Sequence, residues 1–283
     1  MTMRNQPTAR QVRLGTELRR LREAAGMSAR EMAGLLGSSS THMSQIEAGS
    51  SGIGAERLRR LAAHCADADA ELVEALVGMA TDRTRGWWEE YRGTLPAPFL
   101  DLSELDHHAA FRYDVAVIHV PGLLQTEDYA RALFSYMAPE LPRSEVEARV
   151  SHRMRRRVVI ERPEPITYEA VIHEAALRIR VGDRPVSRAQ LERILDHSEL
   201  DHVTVRVVPF DVDGFAGAGS AMGYLGGPVP RLDTVVRDAP HGTALIDSEA
   251  QLSYFRTLFR KVEDASLSPG RSRDFIRKMA KEL

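Results

Sequence analysis

The stretch Ser28–Gly49 constrains this chain more than any other: Ser-Ala-Arg-Glu-Met-Ala-Gly-Leu-Leu-Gly-Ser-Ser-Ser-Thr-His-Met-Ser-Gln-Ile-Glu-Ala-Gly. Ser28 followed by Glu31 is a capping box and opens a helix. Met32, Ala33 and Leu36 supply that helix's apolar face, and Gly37 supplies the left-handed residue that ends it. Ser39 or Ser40 caps a second helix whose inward residues are Met43 and Ile46. Thr41, Ser44, Gln45 and Ala48 fall on the opposite face, which is small, polar and free of acid. Such a face fits a DNA major groove, where Gln pairs with adenine and Ser or Thr with either base type. An ordinary helical hairpin with a solvated face has the same local pattern.

Charge separates the two readings. Residues 1–64 carry ten Arg (4, 10, 13, 19, 20, 22, 30, 57, 59, 60) against five acids (Glu17, Glu23, Glu31, Glu47, Glu56). That is a net charge of +5 in a chain whose total is -2, so the remainder carries -7. Positive charge gathered on a small helical domain is what phosphate contact requires.

The segments Leu18-Arg-Arg-Leu-Arg-Glu-Ala-Ala-Gly-Met-Ser28, Met32-Ala-Gly-Leu-Leu-Gly37 and Ser44-Gln-Ile-Glu-Ala-Gly49 resemble the phage-repressor type of helix-turn-helix, the xenobiotic-response-element (XRE) family. The resemblance implies a recognition helix carrying Ser40, Thr41, His42, Ser44 and Gln45, with Arg30 and Ser39 completing the candidate DNA-binding set. It also implies a partly buried ion pair between Arg22 and Glu47. Two positions depart from the family pattern: Ala29 replaces a phosphate-contacting Gln, and Ser38 replaces an apolar residue in the turn.

At 283 residues the chain has room for two domains. The expected organisation is a five-helix helix-turn-helix bundle over residues 1–80, a linker over 81–99 holding Trp87, Trp88 and Tyr91, and an α+β domain over 100–283. Residues 1–10 lack periodicity and read as a basic arm. Beyond residue 100, β-rich runs at 115–120, 166–173, 202–208, 222–225, 234–237 and 243–246 alternate with helices. Ser144 with Glu147, Ser187 with Gln190 and Ser248 with Gln251 are read as helix starts.

This half resembles the domain of unknown function that follows the helix-turn-helix in the actinobacterial WhiJ-like regulators. The resemblance rests on Val120-Pro-Gly-Leu-Leu-Gln-Thr-Glu-Asp-Tyr-Ala-Arg-Ala132, Arg153-Met-Arg-Arg-Arg157, Glu174-Ala-Ala-Leu-Arg178, Gln190-Leu191 and Val205-Arg-Val-Val-Pro209. It implies a cytoplasmic transcriptional regulator, often with a small partner protein encoded nearby in an antitoxin-like arrangement. The strand-to-helix corner at 121–125 is where α/β sheets commonly place ligand contacts. Leu123, Leu124, Gln125, Tyr129 and Glu174 are therefore the candidate effector or partner site, with Tyr168 beside Glu174 as a further pocket candidate.

Enzyme signatures are missing from the sequence: no Gly-x-Ser-x-Gly elbow, no His-Glu-x-x-His and no Walker loop. Gly214–Ser220 is glycine-rich but follows no helix-opening pattern, and His107-His108, His173, His197 and His202 lack zinc-ligand spacing. The single cysteine, Cys65, excludes an internal disulfide and fits a reducing compartment. No run is long and apolar enough to span a membrane. The expected protein is a non-enzymatic regulator without cofactor or metal, binding double-stranded DNA as a homodimer. Its second domain senses a small molecule or a protein partner. The alternative is an antitoxin-like protein that neutralises a small partner and autoregulates its operon.

Overall fold

Capping side chains set the helix starts in the first ninety residues. Thr8 and Gln11 form a capping box ahead of α1 (Ala9–Ala24), and Ser28 and Glu31 form one ahead of α2 (Ala29–Leu35). Ser39 accepts the His42 N–H at the start of α3 (Ser40–Glu47). Gly54 precedes α4 (Ala55–Ala62), and Asp69 accepts the Leu72 N–H ahead of α5 (Ala70–Thr81). The computed structural model describes residues 6–217, 220–239 and 242–283, and the chain divides into two compact units, Met1–Glu89 and Glu90–Leu283.

The five helices bury Leu18, Leu21, Met32, Met43, Leu58, Leu61, Leu72 and Leu76 in a common core. Residues 1–5 of the expected basic arm lie outside the described residues, and Ala9 and Arg10 are already helical. The Thr8–Gln11 box starts the helix a turn before its first apolar residue, which periodicity alone does not register. Gly15 is needed where α1 crosses α3: a Cβ there would lie 2.7 Å from the Ile46 carbonyl oxygen and closer still to that of Glu47.

The second unit is a six-stranded mixed sheet with helices on its faces. Its elements in order are α6 (Ala97–His108), β1 (Phe111–Ala116), α7 (Glu127–Met137), α8 (Arg143–Arg156), α9 (Val158–Glu161), β2 (Thr167–His173), α10 (Glu174–Arg178), α11 (Arg184–His197) and β3 (Val203–Val208). β4 (Met222–Gly226), β5 (Thr234–Ala239), β6 (Gly242–Ile246), α12 (Glu249–Asp264) and α13 (Pro269–Glu282) complete it. The strand order is β3-β2-β1-β4-β5-β6; β1, β2 and β3 are parallel, and β4 to β6 continue antiparallel from β1.

One face carries Ala116, Tyr168, Ala170, Ile172, Val205 and Val207 against residues of α7, α11 and α13; the other carries Val115, Val171, Val208, Met222 and Tyr224 against α12. Several local expectations shift. β1 spans 111–116 rather than 115–120, because its alternate residues Arg112 and Asp114 are buried yet charged and broke the apolar pattern. The helix expected from Ser187 begins a turn earlier, capped by Asp183, and the one expected from Ser144 begins after Pro142. Ser248 precedes its helix but donates to Gln251 Oε1 instead of capping it.

Beneath the sheet Arg112 donates from Nε to Asp114 (2.9 Å) and from Nη1 to Asp106 (2.6 Å), and Arg156 donates from Nη2 to Asp106 (2.7 Å). The Tyr168 hydroxyl completes the cluster on Asp114 Oδ2 (2.8 Å). Burial pushes the Asp106 carboxyl up, but Arg156 and Arg112 outweigh it and hold its pKa below the ordinary value. Nearby, His152 is buried against Ser103 (2.9 Å) and edge-on to Tyr91 and Phe99. Burial first, then Arg156 and Arg153, push its pKa down to about 3.

Two predictions follow from these contacts. Gly15→Ala should destabilise the chain by about 1–3 kcal/mol through overpacking. Gly34→Ala, in a helical position with nothing within 4 Å, should be neutral or stabilise by up to ~1 kcal/mol; urea unfolding of both variants checks the sign. For His152, the unfolded chain takes up a proton below pH ~6.5 and the folded one only near pH 3. Stability should therefore fall as pH drops from about 6.5 towards 4, by at most ~1.4 kcal/mol per pH unit from this residue. Asp106 contributes only lower down, as pH falls through its ordinary carboxylate range. His152→Gln should flatten the upper part of the slope in urea midpoints measured at pH 7 and pH 5, and an unchanged slope would rule His152 out.

Candidate nucleic-acid interface

Helix α3 turns Met43 and Ile46 into the core and leaves Ser40, Thr41, Ser44 and Gln45 exposed. The Gln45 side-chain amide and the Thr41 hydroxyl make no hydrogen bond among the described residues, so both remain available. Ser44 donates its hydroxyl to the Ser40 carbonyl (3.0 Å), which leaves its oxygen able to accept. Ser39 is committed as the N-cap.

His42 is placed differently from its neighbours. Its Nδ1 meets the Ser38 hydroxyl (2.8 Å) and its Nε2 the Ser51 hydroxyl (3.1 Å), and the ring is half-buried. Both ring nitrogens are engaged, so His42 braces α3 between the preceding turn and the following loop instead of presenting a free edge to bases. The same contact accounts for Ser38, the polar residue standing where the family pattern has an apolar one.

Of the ten arginines in residues 1–64, six are engaged within this unit. Arg13 and Arg20 meet the buried Glu17, Arg19 meets Glu23, and Arg22 meets Glu47. Arg59 meets Glu74, and Arg10 reaches the Met79 carbonyl and Asp82. Arg4 lies outside the described residues. Arg30, Arg57 and Arg60 are exposed and carry no carboxylate partner among the described residues. Residues 65–89 add six acids (Asp67, Asp69, Glu71, Glu74, Asp82, Glu89) and two Arg (83, 85), so +5 - 6 + 2 leaves this unit at +1. The basic excess is thus confined to the first four helices.

Arg22 and Glu47 tie α1 to α3. Arg22 donates from Nε to Glu47 Oε1 (2.6 Å) and from Nη2 to Oε2 (3.0 Å), with its third donor on the Met27 carbonyl (2.7 Å). Both side chains are 9% exposed, so the fork is largely out of water.

The strand-to-helix corner of the second unit is core, which corrects its reading as an accessible effector site. Leu123 and Leu124 are fully buried, and Tyr129 and Glu174 nearly so. Gln125 donates to the Val120 carbonyl (2.7 Å) and accepts from Arg153 Nη1 (2.8 Å), while the Tyr129 hydroxyl accepts the Val120 N–H (3.2 Å). Glu174 accepts from Arg178 and from the Phe210 N–H (2.8 Å). Tyr168 belongs to the buried charge cluster.

Gln190, read from the sequence as part of a helix start, instead accepts the Thr126 N–H and donates to the Leu124 carbonyl, both at 2.8 Å. Sequence reasoning missed Asp106, Arg112 and Asp114. The alternation Phe-Arg-Tyr-Asp-Val was the available signal, since a strand places its second and fourth residues on one face. Among the described residues, no group of three or more His, Cys, Asp or Glu side chains is placed to hold a metal ion, and no helix is long and apolar enough to cross a membrane.

These five helices, with α2 and α3 joined by a tight turn, define a helix-turn-helix unit, and residues 13–76 match the family model described as a helix-turn-helix domain. Such a domain binds DNA. Residues 99–278 match the domain of unknown function DUF5753, and the chain belongs to that family. No curated protein and no solved structure matches the chain.

The ion pair yields a test of what holds α3 in place. Arg22→Met leaves a largely buried carboxylate on Glu47 and should cost about 3 kcal/mol. Adding Glu47→Leu should recover most of that loss in urea unfolding. A single variant as stable as the parent would show that the fork contributes little.

Proposed function

We propose that the protein is a sequence-specific transcriptional regulator of the XRE type, in the WhiJ-like group. In this reading α3 enters the major groove. Gln45, Thr41, Ser44 and Ser40 read base edges, and Arg30, Arg57 and Arg60 contact phosphate. The observation that carries the proposal is the acid-free exposed face of α3, with the amide of Gln45 unengaged, in a unit whose exposed Arg30, Arg57 and Arg60 have no carboxylate partner among the described residues.

A single motif offers few base contacts, so the reading includes a homodimer on an inverted repeat, with half-sites about 34 Å apart or a multiple of that. The second unit acts as a sensor of a small molecule and has no catalytic step. Its buried carboxylates Asp106 and Asp114 are already held by guanidinium groups.

Selection from random duplexes, followed by titration of the selected site, tests the assignment. Gln45→Ala should weaken the selected site by about 1–3 kcal/mol and leave random DNA nearly unchanged. Arg57→Ala should weaken both and reduce the salt slope by about 1. Equal losses on both DNAs for Gln45→Ala would remove it from the base-reading set.

A further inference from the structure

The sheet of the second unit ends at β3 on one side and at β6 on the other. An edge strand presents a row of unpaired N–H and C=O groups, and natural sheets guard such rows with charge, proline, bulges or a covering segment. β3 is guarded in two of these ways. Its Arg206 carries charge, paired with Glu169 (2.9 Å) and Glu263 (3.4 Å). The start of α13 and the segment before it cover its outer side. The Val207 N–H donates to Ser272 Oγ (3.0 Å), and the Val207 carbonyl accepts the Leu267 N–H (2.8 Å).

β6 lacks such guards among the described residues. Gly242-Thr-Ala-Leu-Ile246 holds no charge and no proline, and its five residues pair with β5 in unbroken register, without a bulge. Among the described residues, no backbone hydrogen bond reaches Thr243–Ile246 from outside β5. Ile246 packs on the cluster that α12 covers, which puts Ala244 on the same face. Leu245 lies on the other face, opposite Val236, whose cluster includes Leu102 and Leu105 of α6. Ala244 and Leu245 are both exposed, Leu245 at 41%.

We infer that β6 is the surface through which the chain pairs with a second copy of itself, edge to edge and antiparallel, joining two six-stranded sheets into one. A two-fold axis makes this interface self-complementary, because each copy offers the same donors and acceptors in the opposite direction. An antiparallel neighbour also continues the order of β4, β5 and β6, which already alternate in direction.

The register centred on Ala244 is the one that overlaps all five residues. It sets Ala244 against Ala244 of the second copy and Thr243 against Leu245, so no like charges meet and the exposed Leu245 is covered. β6 offers an unrelated extended segment no charge to select it by, whereas a second copy supplies a matching strand by symmetry. Five residues span about 17 Å, so the contact is small and pairing should depend on chain concentration. The inference rests on the homodimer of the reading above and adds its surface.

Sedimentation velocity of the full-length protein without DNA should show a monomer–dimer equilibrium over a concentration series reaching about 1 mM. Ala244→Lys and Ala244→Glu each set like charges face to face at an exposed position and should weaken the dimer at least severalfold. Mixing the two variants should restore it, since opposite charges then face each other. Amide exchange needs no variant. The alternate β6 amides that point away from β5 should slow as chain concentration rises, while the Val207 amide, already bonded to Ser272, stays constant. If either variant lowers the melting temperature, the exchange measurement decides.

A chain still monomeric at about 1 mM, or β6 amides indifferent to concentration, would overturn the interface and leave this edge to another protein. A dimer untouched by both variants, or not restored by mixing them, would overturn the β6 pairing while the homodimer itself stands. Dimerisation through β6 by a chain that binds no selected duplex would uphold the interface and overturn only the DNA-binding proposal.

Discussion

Buried charge is the constraint on which the second unit depends. Asp106 at the end of α6, Arg112 and Asp114 on β1 and Arg156 at the end of α8 are all nearly inaccessible to water. An isolated ion there would cost several kcal/mol, so each must meet a counter-charge in good geometry. The two carboxylates and two guanidiniums do so, and the Tyr168 hydroxyl brings β2 into the same cluster. The effect reaches the other side of β1 as well. A Cβ on Gly223 of β4 would come within 2.7 Å of Arg112 Nη2 and 2.9 Å of Asp114 Oδ1, so any larger residue at that register would have to displace the cluster. Two helices and three strands are thereby held to one arrangement by a handful of polar atoms.

The first unit applies the same physics on a smaller scale. α1 and α3 approach closely because Gly15 has no side chain, and the Arg22–Glu47 fork then fixes their relative rotation. His42, held between Ser38 and Ser51, adds a second brace from the ends of α3. The exposed face of α3 is therefore oriented by contacts behind and beside it. Pre-organisation of this kind reduces the ordering cost of docking a helix against a rigid surface.

The corner at 121–125 shows how an attractive local pattern can be taken up by the fold itself. Gln125 has an amide suited to orienting a ligand, yet the Val120 carbonyl and Arg153 occupy both of its ends. Gln190 satisfies the adjoining backbone in the same way. Burial without partners would be costly for either amide, so these bonds mark the corner as a joint between α7, α8 and α11. The opening left at that end of the sheet has apolar walls instead, because Val115 of β1, Val171 of β2 and Val208 of β3 line it on the α12 side.

The sequence by itself determined the helix-turn-helix and five of the six strands of the second unit, β2 to β6. Ser28 with Glu31, Gly37, and the pair Met43 and Ile46 act over one or two turns, so neighbours in the chain suffice to specify them. The same holds for the runs ending in Val208 and His173, whose β-branched residues mark strands locally. Only the tertiary structure decided that Arg112 and Asp114 lie inside a strand, that Gln125 is core and that His42 is a brace. Each depends on a partner brought from a distance: Asp106 meets Arg156 across 50 residues, and Gln125 meets Arg153 across 28. A charged or polar side chain reads as exposed until its counter-group is known, because the desolvation cost that would keep it at the surface is cancelled only by that specific contact.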